Sequence, residues 1–182
     1  MQLLLDRAPS PIGDILLVFE GERLRALDFT DYESRMYRLL HLHYGAVTLT
    51  EAPAPAALRA ALQRYFAGEI AALDGIETET AGTPFQRAVW SALRRIPAGE
   101  TRSYGAMAAM IGNPRACRAL GAANGANPIA LVVPCHRVIG ANAALTGYGG
   151  GLSRKAWLLA HEEAAMAGHA GPRGLDAAAR AA

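Results

Sequence analysis

Two neighbouring segments decide the fold: Ser103-Tyr104-Gly105-Ala106-Met107-Ala108-Ala109-Met110-Ile111 and, after Gly112-Asn113, Pro114-Arg115-Ala116-Cys117-Arg118-Ala119-Leu120-Gly121-Ala122-Ala123-Asn124. Ser103 is a helix-capping residue type, which predicts a helix from Tyr104 to about Ile111. Gly112-Asn113 turns the chain. Pro114 suits a first helical position, which predicts a second helix to about Asn124 with Gly125 as its stop. Two short helices across a Gly-containing turn outline a helix-turn-helix. Ala and Gly dominate the second helix, so only Arg115, Arg118 and Asn124 have the side chains that read base edges. Small residues let such a helix approach a duplex closely, which suits minor-groove, sequence-tolerant binding. Arg118 is the candidate for insertion into a base stack, with a phosphate contact as its alternative. Tyr104 sits where free helical N–H groups favour a phosphate, and packing is its other role. Cys117 reads as a structural thiol.

Upstream, Thr83-Pro84 is a helix start, with the hydroxyl as cap and proline at the first position. Phe85, Val89, Leu93 and Ile96 form its apolar stripe, and Pro97-Ala98-Gly99 ends it. Downstream, Ile129 to Val133 predicts an apolar strand running into Cys135, followed by His136 and Arg137. A thiol becomes nucleophilic as thiolate, and adjacent positive groups lower its pKa from about 8.5 to roughly 3.5–7.5. His136 and Arg137 are placed to do so; the alternative is a small buried hydrophobe. Val138-Ile139, a turn over 140–144 and Leu145 to Tyr148 predict a wing-like hairpin. Gly149-Gly150-Gly151 gives backbone freedom, and Ser153 is the expected cap of a last helix carrying Trp157, Leu158, Leu159 and Glu162.

The front half reads as strands and helices. Ile12 to Phe19, the turn Glu20-Gly21-Glu22 and Leu24 to Phe29 predict a hairpin. Asp31 is the expected cap of a helix to about Tyr44, and a second helix from about Ala54 to Ala67 places Leu58, Leu62, Tyr65 and Phe66 on one face. His41 and His43 have no accompanying ligands at metal spacing. The chain has 182 residues, 52% hydrophobic and 19% charged, the composition of a soluble globular protein rather than a disordered one. Its first ten residues lack the pattern of a signal peptide, and no apolar run nears the roughly 20 residues of a membrane span. Two cysteines point to a reducing compartment, the cytoplasm. The net charge of +2 hides an asymmetry: residues 1–83 hold 7 Arg against 12 Asp plus Glu, and residues 84–162 hold 9 Arg plus Lys against Glu100 and Glu162. The back half therefore attracts a polyanion.

Phe85-Gln86 with Val89-Trp90, Ile96-Pro97 with Gly99, Ser103-Tyr104-Gly105, Arg118-Ala119, Asn127-Pro128-Ile129, Pro134-Cys135-His136-Arg137-Val138, Gly147-Tyr148 and Lys155 with Leu158-Leu159 stand in order over about residues 82–163. Together they resemble the O6-alkylguanine-DNA alkyltransferases. The resemblance implies an α/β (α+β) fold: a small strand-and-helix domain over 1–81, a winged helix-turn-helix-like DNA-binding and catalytic domain over 82–163, and a mobile tail over 164–182. It implies stoichiometric, irreversible transfer of an alkyl group from O6-alkylguanine, and from O4-alkylthymine, in duplex DNA to Cys135 after nucleotide flipping.

By the same resemblance His136 would take the Cys135 proton through a water, Glu162 would orient His136, and Asn127 would be the hinge to the active-site segment. Tyr104 would push the 3′ phosphate and bond the extruded guanine, and Arg118 would fill the gap. Ser103, Arg115, Ala119 and Asn124 would face DNA as well, and Tyr148, Val138 and Gly149 would line the base pocket. No metal or cofactor is implied; the partner is alkylated double-stranded DNA, bound by a monomer with cooperativity along the duplex left open, in the cytoplasm and associated with the nucleoid. The chain departs from the pattern in having no Gly before Leu145, no front-half cysteines for a zinc site, and no upstream domain with a second acceptor. A Cys-His hydrolase with an acyl intermediate and a DNA-binding module with an inert thiol are the competing readings.

Overall fold

The computed structural model describes residues 1–168. Strand β1 (Gln2–Ala8) pairs antiparallel with β2 (Ile15–Glu20), which pairs antiparallel with β3 (Arg23–Phe29). A short 3-10 turn leads into α1 (Glu33–Tyr44), and β4 (Thr48–Glu51) then lies parallel to β1, giving the sheet order β3-β2-β1-β4. Helix α2 (Ala56–Phe66) follows. The hairpin and both helices stand where the sequence predicts them. β2 is apolar from Ile15 to Phe19 because both of its faces are covered: Leu16 and Val18 pack with Met36 and Leu40 of α1, while Ile15, Leu17 and Phe19 join the main core. Alternate residues of a strand face opposite sides, so a doubly covered strand reads as one continuous apolar run.

Helix α3 (Pro84–Leu93) starts with the expected cap: Thr83 accepts from Gln86 N at 3.2 Å, and Gln86 Oε1 accepts from Thr83 N at 2.9 Å. The two-residue strand β5 (Arg102–Ser103) leads into α4 (Tyr104–Met110), capped by Ser103, whose hydroxyl accepts from Ala106 N at 3.1 Å. α5 (Cys117–Gly125) begins three residues later than expected, the chain at 114–116 forming a turn. α4 and α5 are the helix pair, and the Trp90 indole N–H donating to Ala123 O at 2.9 Å fastens α3 to α5. β6 (Val138–Ile139) pairs parallel with β5, and α6 (Leu152–Met166) closes the core with Trp157 and Leu158.

Four local expectations are corrected. Asp31 caps no helix; it takes a bidentate ion pair from Arg154 of α6 at 2.9 Å, a stronger use of a carboxylate than one cap bond. Ser153 makes no cap bond either, α6 starting at Leu152 after Gly151. The wing is reduced to β6, a 3-10 turn over Ala141–Ala143 and an exposed loop. Residues 164–166 of the expected tail are the end of α6, and 169–182 lie outside the described residues.

A fifth correction concerns the segment before Cys135, which is not a strand. Only Ile129 bridges to a strand, with Leu27 N donating to Pro128 O at 2.9 Å and Ala130 N donating to Leu27 O at 3.0 Å. At Leu131 the backbone turns left-handed (φ 66°) and Val132 N reaches back to Ala130 O at 2.8 Å, a γ-turn. A second tight turn at Pro134 sends Cys135 N to Val133 O at 2.8 Å, and Cys135–Arg137 is a 3-10 turn. Pro134 has no N–H for a ladder, and Asn127 takes over what a neighbouring strand would supply: its Nδ2 donates to Val133 O at 2.8 Å and its Oδ1 accepts from Ile129 N at 3.0 Å.

A buried Cys-His-Glu cluster as the candidate active site

Cys135 is 5% exposed. Its carbonyl accepts from Asn124 Nδ2 at 3.3 Å and from Val138 N, which fixes the main chain that carries the sulfur. His136 and Glu162 are buried, with His136 Nε2 2.9 Å from Glu162 Oε1. The other ring nitrogen, Nδ1, is buried and meets no protein partner. A carboxylate at Nε2 favours the tautomer with its proton there, which leaves Nδ1 as the acceptor.

Glu162 is surrounded by donors. Arg137 gives it a two-pronged ion pair, Nε to Oε2 and Nη2 to Oε1, both at 2.9 Å, and its Nη1 caps Ile96 O at 2.8 Å. Gly99 N donates to Oε2 at 3.0 Å and the Tyr65 hydroxyl to Oε1 at 2.8 Å. Burial alone would raise the Glu162 carboxyl; His136 and Arg137 outweigh it and hold the group far below the usual carboxylate range. His136 is shifted down by burial, against the upward pull of Glu162.

The expectation of a thiol acidified by its chain neighbours is corrected. Burial pushes the Cys135 thiol up, and Asn127, Arg35 and Lys155 only partly oppose it. Arg137 is turned away into its pair with Glu162. The cations near the sulfur are Arg35, which donates to Gly125 O and Asn127 O at 2.9 Å, and Lys155, whose Nζ donates to Val138 O and Thr146 O at 2.6 Å. Proton removal at Cys135 therefore needs a base, and His136 is the next residue along the chain.

Tyr148 stands edge-on to His136, ring centroids 6.3 Å apart, with its buried hydroxyl unpartnered by protein. Val138 is buried, and Gly149 has no room for a side chain: a Cβ there would lie 2.6 Å from the Arg35 guanidinium carbon. On the outer face, Arg115, Arg118 and Ala119 are exposed and Ser103 and Tyr104 half-buried. Asn124 does not join them. It sits on the inward face of α5 with Leu120 and Ala123, at spacings of three and four, so its expected DNA contact is replaced by the bond to Cys135 O.

Two family models match this chain in the order of its two halves: 6-O-methylguanine DNA methyltransferase, ribonuclease-like domain, over residues 6–80, and 6-O-methylguanine DNA methyltransferase, DNA binding domain, over residues 84–164. The chain belongs to the 6-O-methylguanine DNA methyltransferase family. A methylated-DNA-protein-cysteine methyltransferase of Salmonella typhimurium is 51% identical over 165 residues, 89% of this chain and 96% of the relative. One from Mycobacterium tuberculosis is 48% identical over 157 residues, 85% and 88% of the two chains. The crystal structure of Mycobacterium tuberculosis OGT in complex with DNA superposes with a TM-score of 0.76 at 42% identity, covering 89% of this chain and 94% of that one. An O6-methylguanine-DNA methyltransferase from Pyrococcus kodakaraensis shares the fold, TM-score 0.65 at 21% identity.

Within this methyltransferase, Arg137, Tyr65, Arg35 and Lys155 were not legible as site residues. Tyr65 carried only the signal of an apolar helix face, and its partner Glu162 lies 97 positions away. Arg137 was legible as a cation beside Cys135 but not as the clamp of Glu162.

Proposed function

We propose that Cys135 is the acceptor to which an alkyl group is transferred from O6 of guanine, and from O4 of thymine, in duplex DNA. Direct reversal of DNA alkylation by transfer to a protein cysteine is the activity of this family, and this chain is a DNA repair methyltransferase of that kind. The observation that carries the choice of cysteine is that the residue following Cys135, His136, is anchored through Nε2 by buried Glu162 with Nδ1 left to accept. Cys117 has no such neighbour; its sulfur rests 3.8 Å from Pro114 O on the outer helix.

His136 takes the thiol proton through a bridging water, and the resulting imidazolium faces Glu162. The thiolate attacks the alkyl carbon in line: the S–C bond forms, the C–O6 bond breaks, and the guanine takes up one proton. Reaching that carbon requires the nucleotide to leave the stack, at a cost of a few kcal/mol that a damaged pair lowers. Tyr104 and Arg118, at the start of α4 and on the exposed face of α5, serve the extrusion, and Tyr148 with the Val138 to Gly149 backbone receives the base. The product is a thioether without a carbonyl for water to attack, so each molecule acts once. The protein acts as a monomer on DNA in the cytoplasm; among the described residues no helix is long and apolar enough to cross a membrane.

Incubation with a duplex carrying labelled O6-methylguanine, followed by mass mapping, tests the reading. One equivalent of label on the Cys135 peptide is expected. Label on Cys117, or repeated turnover, overturns it.

A further inference from the structure

Glu162 Oε1 serves three donors at once: His136 Nε2 and Arg137 Nη2, each at 2.9 Å, and the Tyr65 hydroxyl at 2.8 Å. Tyr65 is the contributor from α2, and with Arg35 it is one of the front-half side chains that reach the candidate site. Its ring is fully buried and flanked edge-on by Phe66 and His161, with centroids 5.3 and 5.4 Å away, so the hydroxyl is held in place. We propose that Tyr65 is a positioning residue of the proton relay: by sharing Oε1 it sets how much of the Glu162 charge is left for His136. The inference rests on the reading of Cys135 as acceptor and His136 as its base.

Orientation alone does not explain the hydroxyl. Arg137 holds both carboxylate oxygens and Gly99 N holds the second, so Glu162 stays in place without Tyr65. The hydroxyl instead draws electron density from the oxygen that faces the imidazole. A donor hydrogen bond to a carboxylate stabilises its charge and weakens it as an acceptor for any other donor. Without that bond Oε1 would stabilise the imidazolium better, and His136 would hold its proton to higher pH. With it, His136 remains a neutral acceptor lower in the pH range. Tyr65 keeps its own proton throughout, since burial and the Glu162 charge both hold its phenol well above the ordinary value.

Other charged and titratable groups face the relay. Lys155 of α6 and Arg137 both disfavour the imidazolium, Tyr148 meets the ring from the loop, and Cys135 precedes it. Arg35 and Asp28 lie on the Cys135 and Tyr148 side, and His161 bonds Tyr65 O at 2.8 Å. The Tyr65 hydroxyl makes its hydrogen bond to Glu162 alone, so a change confined to that group reports on the carboxylate.

The test compares full-length protein with Tyr65→Phe and with 3-fluorotyrosine at position 65, whose more acidic phenol is the stronger donor. Ring-nitrogen NMR follows the His136 titration without DNA, and single-turnover transfer on methylated duplex gives the acid limb of the rate profile. The His136 midpoint and the acid limb should move up by on the order of half a pH unit in Tyr65→Phe and down with fluorotyrosine. A purely structural Tyr65 would lower Tm and leave both unmoved, which overturns the proposal. Should Tyr65→Phe fail to fold, the fluorotyrosine form, differing by one atom, decides it alone. Mass mapping of the same samples separates the two failures: label away from Cys135 defeats the functional reading, while label on Cys135 with an unmoved His136 defeats this inference.

Discussion

Asn124 donates its side-chain amide to the Cys135 carbonyl at 3.3 Å, so α5 and the turn that carries the sulfur share a buried hydrogen bond. Asn124→Ala removes it and leaves Val138 N as the remaining donor. The expected cost is about 0.5–1.5 kcal/mol of stability, the net worth of one hydrogen bond, because Val138 N still serves the carbonyl. Transfer should slow by tenfold or more, since sub-ångström misplacement of a nucleophile is costly. Affinity for unmodified duplex should not change; a clear loss in a filter or fluorescence binding assay would return Asn124 to the DNA face.

Cys135 lies in a packed environment, 5% exposed and part of the main core cluster. A methyl group added to its sulfur overfills that space, and overpacking costs about 1–3 kcal/mol. The methylated protein should melt several degrees lower, at about 2–4 °C per kcal/mol for a chain of this size. Calorimetry before and after stoichiometric methylation checks this, and an unchanged Tm contradicts it.

Glu162 ties the proposed proton relay to stability. Its carboxyl is depressed in the folded state, so the unfolded chain protonates first as pH falls. The contribution is complete above the unfolded value of about 4.3 and is lost as pH drops below it. Glu162→Gln leaves Arg137 as an uncompensated buried cation, expected to cost about 3–5 kcal/mol at neutral pH. The gap in urea midpoint between wild type and Glu162→Gln should therefore be widest near pH 7 and narrow below about pH 4. A gap independent of pH would mean that the carboxylate is not ionised in the fold.

What the sequence disclosed follows from where each segment finds its hydrogen bonds. The β2–β3 hairpin and the Thr83 and Ser103 caps are local, and their residue types announce them. Gln2–Ala8 forms a strand although Asp6 and Arg7 interrupt its apolar pattern, because Asp6 bonds Ala54 N and Arg59 outside the sheet. The run Ile129 to Val133 has a strand's composition, but its partner is the Asn127 carboxamide, and that choice leaves no periodic trace. The residues themselves pointed to Cys135 and His136, and the resemblance added Glu162; the Arg137 guanidinium that also holds Glu162 was not foreseen in that role, because an ion pair fixed by tertiary packing carries no spacing rule. Asn124 could have been placed from spacing alone, as it shares the inward face with Leu120 and Ala123.

Arg118 is exposed on α5, on the face that presents Arg115 and Ala119, and two roles for it make different measurements move. A phosphate contact would weaken binding to all duplexes alike and reduce the salt slope by about one. Insertion into the stack would instead stabilise the extruded state, offsetting an unstacking cost of a few kcal/mol. For insertion, Arg118→Ala should slow transfer from methylated duplex by about tenfold to a hundredfold, leave transfer from the free alkylated base unchanged, and hardly alter the salt slope. Single-turnover rates on the two substrates, measured beside a salt titration on unmodified duplex, distinguish the outcomes. Equal losses on duplex and free base would place the defect in the Cys135 site, since a free base has no stack to fill.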